Sequence, residues 1–142
     1  MIVLDTNVLL YATGADHAFK PASHGLVASI RDGRVRATTI VEVIQEFVHV
    51  RSKRRPRREA VELAADYVEL LSPLLVVGDA ELRVALRLFD RHPRLKAFDA
   101  LLAAAAIASD ADALVSADGA FAGIRGLRHV VPGTPAFERL LA

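Results

Sequence analysis

Two short apolar runs, each ending at a polar residue, constrain the fold of this chain more than any other feature. Ile2-Val3-Leu4 stops at Asp5, and Ala113-Leu114-Val115 stops at Ser116. Runs that are apolar at every position, rather than at every second position, are typical of strands that are buried on both faces. These two runs therefore predict a parallel sheet in the centre of the molecule, with helices covering it on both sides.

Segments with helical periodicity lie between the apolar runs. They predict helices over residues 21–32, 40–53, 57–71, 79–91, 97–109 and 135–142, with further strands over 35–39, 74–77 and 129–131. Strands that alternate with helices of this length indicate an α/β fold. The expected fold is a three-layer α/β/α domain with a mostly parallel sheet of four or five strands. Residues 7–19 show no clear pattern and receive no element.

Length, composition and charge are those of one globular domain. The chain has 142 residues, 53% of them hydrophobic, and no cysteine, which excludes disulfides and thiolate chemistry. We therefore expect a single domain over residues 1–142. The net charge is +1, so affinity for nucleic acid would have to come from a local patch of cations.

No segment predicts a membrane span or a secretion signal. The longest apolar run, Leu101 to Ala108, is far shorter than the roughly 18 residues that suggest a transmembrane helix. Asp5 interrupts the apolar start of the chain, whereas a signal peptide needs a basic start and an unbroken apolar region. These features predict a cytoplasmic protein with no membrane association.

Carboxylates follow the predicted strands or open the predicted helices. Asp5 and Asp118 come after the first strand and after the strand over 113–115, and Asp99 lies near the start of the helix over 97–109. Ligands of open α/β sheets collect beyond the carboxyl ends of the strands, so these side chains are expected to meet at one edge. Taken singly, each also has a structural explanation: a turn at Asp5, a helix N-terminus at Asp99 and an Asx turn at Asp118.

Several carboxylates at one edge would repel each other unless a cation neutralised them. Without a matching set of histidines or cysteines, oxygen ligands indicate Mg²⁺ or Mn²⁺. Such an ion orients a water, lowers its pKa and stabilises charge on a phosphodiester. The residues alone thus suggest metal-assisted hydrolysis of phosphodiester bonds.

Three segments carry a family resemblance: Ile-Val-Leu-Asp5-Thr6-Asn7, Phe98-Asp99-Ala-Leu-Leu-Ala-Ala-Ala, and Leu-Val-Ser116-Ala-Asp118-Gly-Ala-Phe121. With a glutamate in the helix after the second strand, their order and spacing resemble a PIN domain, and more narrowly the VapC-type ribonuclease toxins of bacterial toxin–antitoxin pairs. The resemblance covers nearly the whole chain. It implies an endoribonuclease that depends on Mg²⁺ or Mn²⁺, cleaves RNA, forms a homodimer and is inhibited by a small VapB-type antitoxin.

The resemblance also assigns roles to individual residues. It implies catalytic and metal-binding roles for the three acids that match the family directly: Asp5, Asp99 and Asp118. It implies supporting roles for the polar residues beside them: Thr6, Asn7 and Ser116. The fourth acid of the family, in the helix after the second strand, has two candidates in this chain.

Glu42 and Glu46 compete for that helical acid. The two are four residues apart and share one helical face. Glu42 stands three residues after Thr39, in the pattern of a capping box, which would give it a structural role. We therefore favour Glu46 as the catalytic and metal-binding glutamate and keep Glu42 as the alternative.

A basic run lies between two of the predicted helices. Of the eight residues 51–58, six are cations: Arg51, Lys53, Arg54, Arg55, Arg57 and Arg58. Such a cluster suits contacts to RNA phosphates, which give affinity without reading the bases. Two other interpretations stay open, namely a solvated helix corner and a docking site for an acidic segment of the antitoxin.

Two other functions compete with the metal-dependent ribonuclease. An aspartyl-phosphate phosphotransferase would use Asp5 as its nucleophile. Haloacid-dehalogenase-like enzymes of that kind have a second aspartate two residues on, where this chain has Asn7. A degenerate PIN fold that only binds RNA or protein would have no reason to keep mutually repelling carboxylates. Both alternatives are therefore disfavoured.

Overall fold

The computed structural model describes residues 1–142 and places four strands among seven α-helices. In chain order the elements are β1 (Ile2–Leu4), α1 (Thr6–Thr13), α2 (Lys20–Arg31), β2 (Ala37–Thr38), α3 (Val41–Arg51), α4 (Arg57–Leu71), α5 (Asp79–Arg91), α6 (Ala97–Ala108), β3 (Ala113–Val115), β4 (His129–Val130) and α7 (Pro135–Leu141). A short 3₁₀ turn over Gly119–Phe121 follows β3. None of the helices has the length and apolar character needed to cross a bilayer.

The sheet has the order β2-β1-β3-β4, and every neighbouring pair of strands is parallel. β1 is central: Val3 pairs with Thr38 of β2 on one side and with Leu114 of β3 on the other. The predicted α/β class and parallel sheet are thus confirmed, with four strands rather than five. Because the strands are parallel, Asp5 after β1 and Ser116 after β3 leave the sheet at the same edge.

The two central strands and α6 are the most completely buried elements. Every residue of β1 and of β3 is buried, in agreement with their continuous apolar runs. The alanines at 103–106 of α6 are buried as well, since small side chains let a helix lie close to its neighbours. Asp99 lies in the first turn of α6, so this closely packed helix determines its position.

The predicted strand over 74–77 is wrong. The segment contributes one isolated parallel bridge between Leu75 and Ile40, in which the Leu75 amide donates to the Thr39 carbonyl at 2.9 Å. Val76 is 89% exposed, so the segment lies at the surface and no strand pairs with its other side. A run of four apolar residues becomes a buried strand only when a second layer covers it.

The start of α3 differs from the predicted capping box. Thr39 does not cap the helix, because its Oγ1 donates to the Leu4 carbonyl at 2.7 Å and thereby ties the end of β2 to β1. Ile40 is the N-cap residue and its side chain makes no capping hydrogen bond. The structural role expected for Glu42 is therefore absent, and capping gives no reason to prefer Glu46 over Glu42.

Candidate active site

Asp5 is the more deeply buried of the two aspartates that follow strands, and it is the N-cap residue of α1. This helix lies in the segment for which the sequence predicted no element. The Asp5 side chain is 6% exposed and both of its oxygens accept hydrogen bonds. Oδ1 accepts from the Thr6 amide at 2.7 Å, which caps α1. Oδ2 accepts from Ser116 Oγ at 2.7 Å and from Asn7 Nδ2 at 3.1 Å. The structural explanation of Asp5 as a turn residue therefore applies to Oδ1. Oδ2 instead faces the end of the neighbouring strand, β3.

Asn7 and Ser116 connect the ends of β1 and β3 through their side chains. Asn7 Nδ2 donates to Ser116 Oγ at 3.0 Å, and Asn7 Oδ1 accepts from the Ala117 amide at 3.1 Å. Ser116 Oγ also accepts from the Asp118 amide at 3.0 Å. The serine hydroxyl therefore donates once and accepts twice, which uses all of its hydrogen-bonding capacity. This network, formed by the side chains of Asp5, Asn7 and Ser116, is called the strand-end network below.

Asp118 lies half-buried at the edge of this network. Its Oδ1 accepts from the Ala120 amide at 2.9 Å and so caps the 3₁₀ turn. Its other carboxylate oxygen makes no hydrogen bond within the protein. The expected Asx-type turn therefore exists, and it leaves one oxygen free to meet a ligand.

A cavity of about 750 Å³ brings the predicted acids together. Strand ends supply Asp5 and Asp118, the first turn of α6 supplies Asp99, and α3 supplies Glu42 and Glu46. Its size lies within the range of roughly 300–1,000 Å³ that is usual for ligand sites. Two of the predicted supporting residues, Thr6 and Asn7, also line it, whereas Ser116 lies behind Asp5.

The electrostatics show that these carboxylates act on one another. Burial raises the pKa of Asp5, the hydrogen bonds from Ser116 and Thr6 oppose that rise, and the charges of Glu46 and Asp118 add to it. Burial also raises the pKa of Asp99, to about 7, with further contributions from the charges of Asp5, Glu46 and Asp118. A cation in the cavity would reverse this penalty, because it favours the charged form of every carboxylate around it.

Glu42 and Glu46 both line the cavity but differ in what they affect. The charge of Glu46 raises the pKa of Asp5 and of Asp99, whereas Glu42 acts on neither. Glu46 has an exposed side chain, and Glu42 is half-buried with its Oε2 shielded and without a hydrogen-bond partner. Electrostatic proximity, rather than capping, is thus the observation that distinguishes the two.

The donor set suits a divalent cation that prefers oxygen ligands. All of the acids present carboxylate oxygens, and Thr6 adds a hydroxyl that is buried without a hydrogen-bond partner. No three His, Asp or Glu side chains are gathered closely enough to form a ready-made ligand set. Binding would therefore draw the carboxylates inward, and the exposed side chain of Glu46 has the freedom to move.

Two residues at the mouth of the cavity were not predicted to belong to the site. Lys96 and Phe98 flank the start of α6 and both line the cavity. The positive charge of Lys96 partly opposes the rise in the pKa of Asp99. No local pattern in the sequence placed them at the cavity, because the turn between α5 and α6 determines the direction in which α6 begins.

The basic run forms the corner between α3 and α4. Arg51 pairs with Glu59 at 2.8 Å, and Arg58 pairs with Glu62 at 3.0 Å. The other four cations are exposed and have no carboxylate partner: Lys53, Arg54, Arg55 and Arg57. Because α3 extends from Glu46 in the cavity to Arg51, the free cations lie beyond the end of that helix, in the turn that leads into α4 and at the first residue of α4.

Comparison with known proteins agrees with this fold. The family model of the PIN domain matches residues 2–127. The chain belongs to the PIN domain family. It is 46% identical over 145 residues to Ribonuclease VapC7 of Mycobacterium tuberculosis, covering 99% of this chain and 98% of that protein. It is 31% identical over 131 residues to Ribonuclease VapC13 of the same organism, covering 92% and 99%. The resemblance inferred from the motifs is confirmed.

Two solved structures share the fold at low sequence identity. VapBC2 from Rickettsia felis, bound to a DNA fragment from its promoter, matches with a TM-score of 0.71 and 19% identity over 92% of this chain and 98% of that one. A toxin–antitoxin complex from Klebsiella pneumoniae matches with a TM-score of 0.68 and 15% identity, over 89% and 95%. These matches establish the architecture in which the cavity lies.

Proposed function

We propose that this protein is a metal-dependent endoribonuclease that acts as the toxin of a toxin–antitoxin pair and is neutralised by a VapB-type antitoxin. The observation that carries the proposal is the meeting of Asp5, Glu46, Asp99 and Asp118 around one cavity. The named relatives are ribonucleases, and the structural neighbours are toxin–antitoxin complexes. The family resemblance adds a homodimer and a cytoplasmic location, where the RNA substrate is found.

The acidic residues would hold Mg²⁺ or Mn²⁺, with Asp5, Asp99 and Glu46 as the principal ligands and Asp118 completing the set. The bound ion would lower the pKa of a water and stabilise charge on the scissile phosphate. In the hydrolysis, the water oxygen bonds to phosphorus while one bridging P–O bond breaks. The residues of this chain keep the carboxylates in place and supply the negative charge that attracts the ion.

The strand-end network fixes the orientation of Asp5 before any ligand arrives. Ser116 and Asn7 both donate to Oδ2, so the carboxylate cannot rotate without breaking two hydrogen bonds. Partners of this kind orient ligand side chains, and their loss typically weakens metal binding or activity about 10–100-fold. Asp99 is the opposite case, because it accepts no hydrogen bond, and burial followed by the charges of Asp5 and Glu46 raises its pKa to about 7.

The free cations of the α3–α4 corner are proposed to contact RNA phosphates beyond the cleavage site. Lys53, Arg54, Arg55 and Arg57 have no carboxylate partners, whereas Arg51 and Arg58 are engaged with Glu59 and Glu62. Of the six cations predicted to bind RNA, we therefore propose that the four without a carboxylate partner contact the phosphates. Arg51 serves to hold α3 against α4.

The aspartyl-phosphate alternative is disfavoured by the environment of Asp5. A carboxylate nucleophile needs an oxygen that can reach phosphorus, yet both oxygens of Asp5 accept hydrogen bonds within the protein. The side chain is also almost fully buried. A ligand role that uses the remaining lone pairs is compatible with this environment.

Substitution of Asp5 by asparagine tests the proposed function. Asp5→Asn keeps the shape of the side chain but removes its charge. We expect the rate of RNA cleavage to fall by more than ~100-fold, which exceeds the usual effect of losing a residue that only hydrogen-bonds to a metal ligand. The exposed Asp90 lies outside the cavity, so Asp90→Asn is the matched control and should cleave at the wild-type rate. Cleavage is measured on purified proteins with Mg²⁺, with EDTA and after Mg²⁺ is restored. Equal rates for Asp5→Asn and wild type would refute the proposal and favour a binding module.

A further inference from the structure

The Phe98 side chain lies on the surface although it is a large aromatic ring. It is 76% exposed, far more than any other phenylalanine of the chain. It belongs neither to the hydrophobic core nor to the partly buried side chains that pack against it. Packing therefore does not explain the residue, and α6 would be as stable with a polar side chain at this position.

The location of the ring points to a ligand. Phe98 lines the mouth of the acidic cavity together with Asp99, the proposed metal ligand that follows it in the chain. Lys96 lines the same mouth two residues earlier. Val43 and Val50 of α3 also line the cavity, which gives its wall apolar surface beside the acids.

The acidic floor with its proposed metal and the cation suit the phosphate of a nucleotide, and the exposed ring suits its base. The phosphate belongs with the metal and Lys96, while the base needs a flat apolar surface. Aromatic side chains are the usual stacking surfaces for bases in single strands. We infer that Phe98 stacks on the base of a nucleotide adjacent to the scissile phosphate and so positions the RNA for cleavage. This inference rests on the proposed function and specifies how its substrate is held.

Stacking by Phe98 has consequences for the choice of substrate. The base must be free of its own neighbours before it can lie on the ring, so the cleaved phosphate lies in an unpaired segment. Every base has a flat face, so the contact tolerates sequence changes. Its loss removes ~1–3 kcal/mol per base, which corresponds to a fall of roughly 5- to 150-fold in affinity.

The first experiment compares variants on one short single-stranded RNA that the wild type cleaves. Phe98→Ala should lower kcat/KM by roughly 5- to 150-fold, and Phe98→Tyr should restore most of it because tyrosine also stacks. Phe89 is an exposed phenylalanine of α5 outside the cavity, so Phe89→Ala is the matched control and should behave like wild type. Equal effects of Phe98→Ala and Phe89→Ala would overturn the inference.

The second experiment removes the base instead of the ring. RNAs with an abasic site on either side of the scissile phosphate are cleaved by wild type and by Phe98→Ala. One of the two abasic RNAs lacks the base that stacks on the ring. Wild type should cleave that RNA as slowly as Phe98→Ala cleaves normal RNA. Phe98→Ala should cleave the abasic RNA no more slowly than it cleaves normal RNA. If, for both abasic RNAs, the loss from the missing base and the loss from Phe98→Ala multiply, the ring and the base act independently. That result would overturn the inference.

The third experiment does not depend on cleavage and so separates this inference from the proposed function. RNA that carries 2-aminopurine next to a scissile position made resistant to cleavage is titrated with protein in Mg²⁺. Wild type and Phe89→Ala should quench the fluorescence by stacking, and Phe98→Ala should bind without that quenching. Identical quenching by all three proteins would overturn the role of Phe98 even if cleavage is confirmed. Unchanged quenching together with a lost dimer or antitoxin complex would assign the ring to a protein interface instead.

Discussion

The two sides of the candidate active-site cavity are built in opposite ways. On the side of the strand ends, Asp5, Asn7 and Ser116 hold one another through hydrogen bonds of 2.7–3.1 Å. On the side of the helices, the polar side chains make no hydrogen bond or ion pair with each other or with the rest of the protein: Glu42, Glu46, Lys96 and Asp99. One side is part of the fold, and the other is available to a ligand.

This difference shows how the chain combines a precise site with a stable fold. Each hydrogen bond of the strand-end network contributes ~0.5–1.5 kcal/mol net, so the network supports the sheet as well as the site. The helix-borne acids add an electrostatic penalty instead, since burial and then the charges of the neighbouring acids raise the pKa of Asp99. Substitutions on the two sides should therefore separate stability from activity.

Glu46→Gln should give the largest effect on activity with the least effect on stability. Removal of this charge takes away a proposed metal ligand, so we expect the rate of cleavage to fall by at least ~100-fold. This fall is larger than the one expected when a residue that only hydrogen-bonds to a metal ligand is lost. The free energy of unfolding, measured in urea without metal, should stay the same or rise, because Glu46 repels Asp5 and Asp99. Glu42→Gln is the paired control, and a larger loss for that variant would identify Glu42 as the helical acid.

Ser116→Ala should reduce both activity and stability, since it breaks the strand-end network. We expect ~10–100-fold slower cleavage. The loss of the buried hydroxyl leaves the Asp118 amide without its partner, at a cost of ~1–3 kcal/mol, and Asp5 Oδ2 keeps only the hydrogen bond from Asn7 Nδ2. Ser29→Ala is the control, because that buried hydroxyl bonds only to the Gly25 carbonyl within α2. If both variants unfold alike and cleave alike, the network has no special role.

The stability of the metal-free protein should fall as the pH rises from about 4 to about 7. The pKa of Asp99 is raised from 3.8 to about 7 in the fold, so over this interval the native state binds more protons than the unfolded state. Asp5 acts in the same direction. Asp99→Asn should flatten this slope in thermal melts with EDTA. Mg²⁺ should stabilise the wild type more at pH 8 than at pH 6, and a slope unaffected by Asp99→Asn would contradict the electrostatic account.

The α3–α4 corner should give the smallest effect per residue. Each phosphate contact removed by serine at Arg54, Arg55 and Arg57 should flatten the dependence of log affinity on log salt by about 0.7 for a single strand, without moving the cleavage site. The exposed arginines of α5 provide a control triple with the same loss of charge: Arg83, Arg87 and Arg91. An equal change of slope for both triples would show that net charge, not the corner, governs binding. An unchanged slope together with a lost antitoxin complex would assign the corner to the antitoxin.

The sequence predicted the central sheet well because burial on both faces leaves a local signature. β1 and β3 are apolar at every position, and their ends carry Asp5 and Ser116. The surface run at 74–77 has the same signature but no covering layer, so local pattern alone mispredicted it. The capping box at Thr39 failed for a related reason: its hydroxyl bonds to Leu4, a partner 35 residues away.

The sequence predicted which acids line the candidate site, but it did not predict Lys96 and Phe98 at the mouth of the cavity. A carboxylate after a buried strand has one edge at which to emerge, so topology determines where Asp5 and Asp118 lie. The positions of Lys96 and Phe98 depend on how the turn between α5 and α6 directs the helix start, which no local pattern records. The preference between Glu42 and Glu46 likewise required the folded arrangement, in which the charge of Glu46 affects Asp5 and Asp99.

The order of the strands has a consequence for the synthesis of the protein. β1 leaves the ribosome early, whereas its partner β3 follows after most of the chain, and Ser116 reaches Asp5 across 111 positions. Contacts between such distant residues form late in folding. A nascent chain that lacks the residues after 112 has neither Ser116 nor Asp118 and cannot assemble the cavity. The candidate site therefore assembles only after β3 and the residues that follow it, through Asp118, have been synthesised.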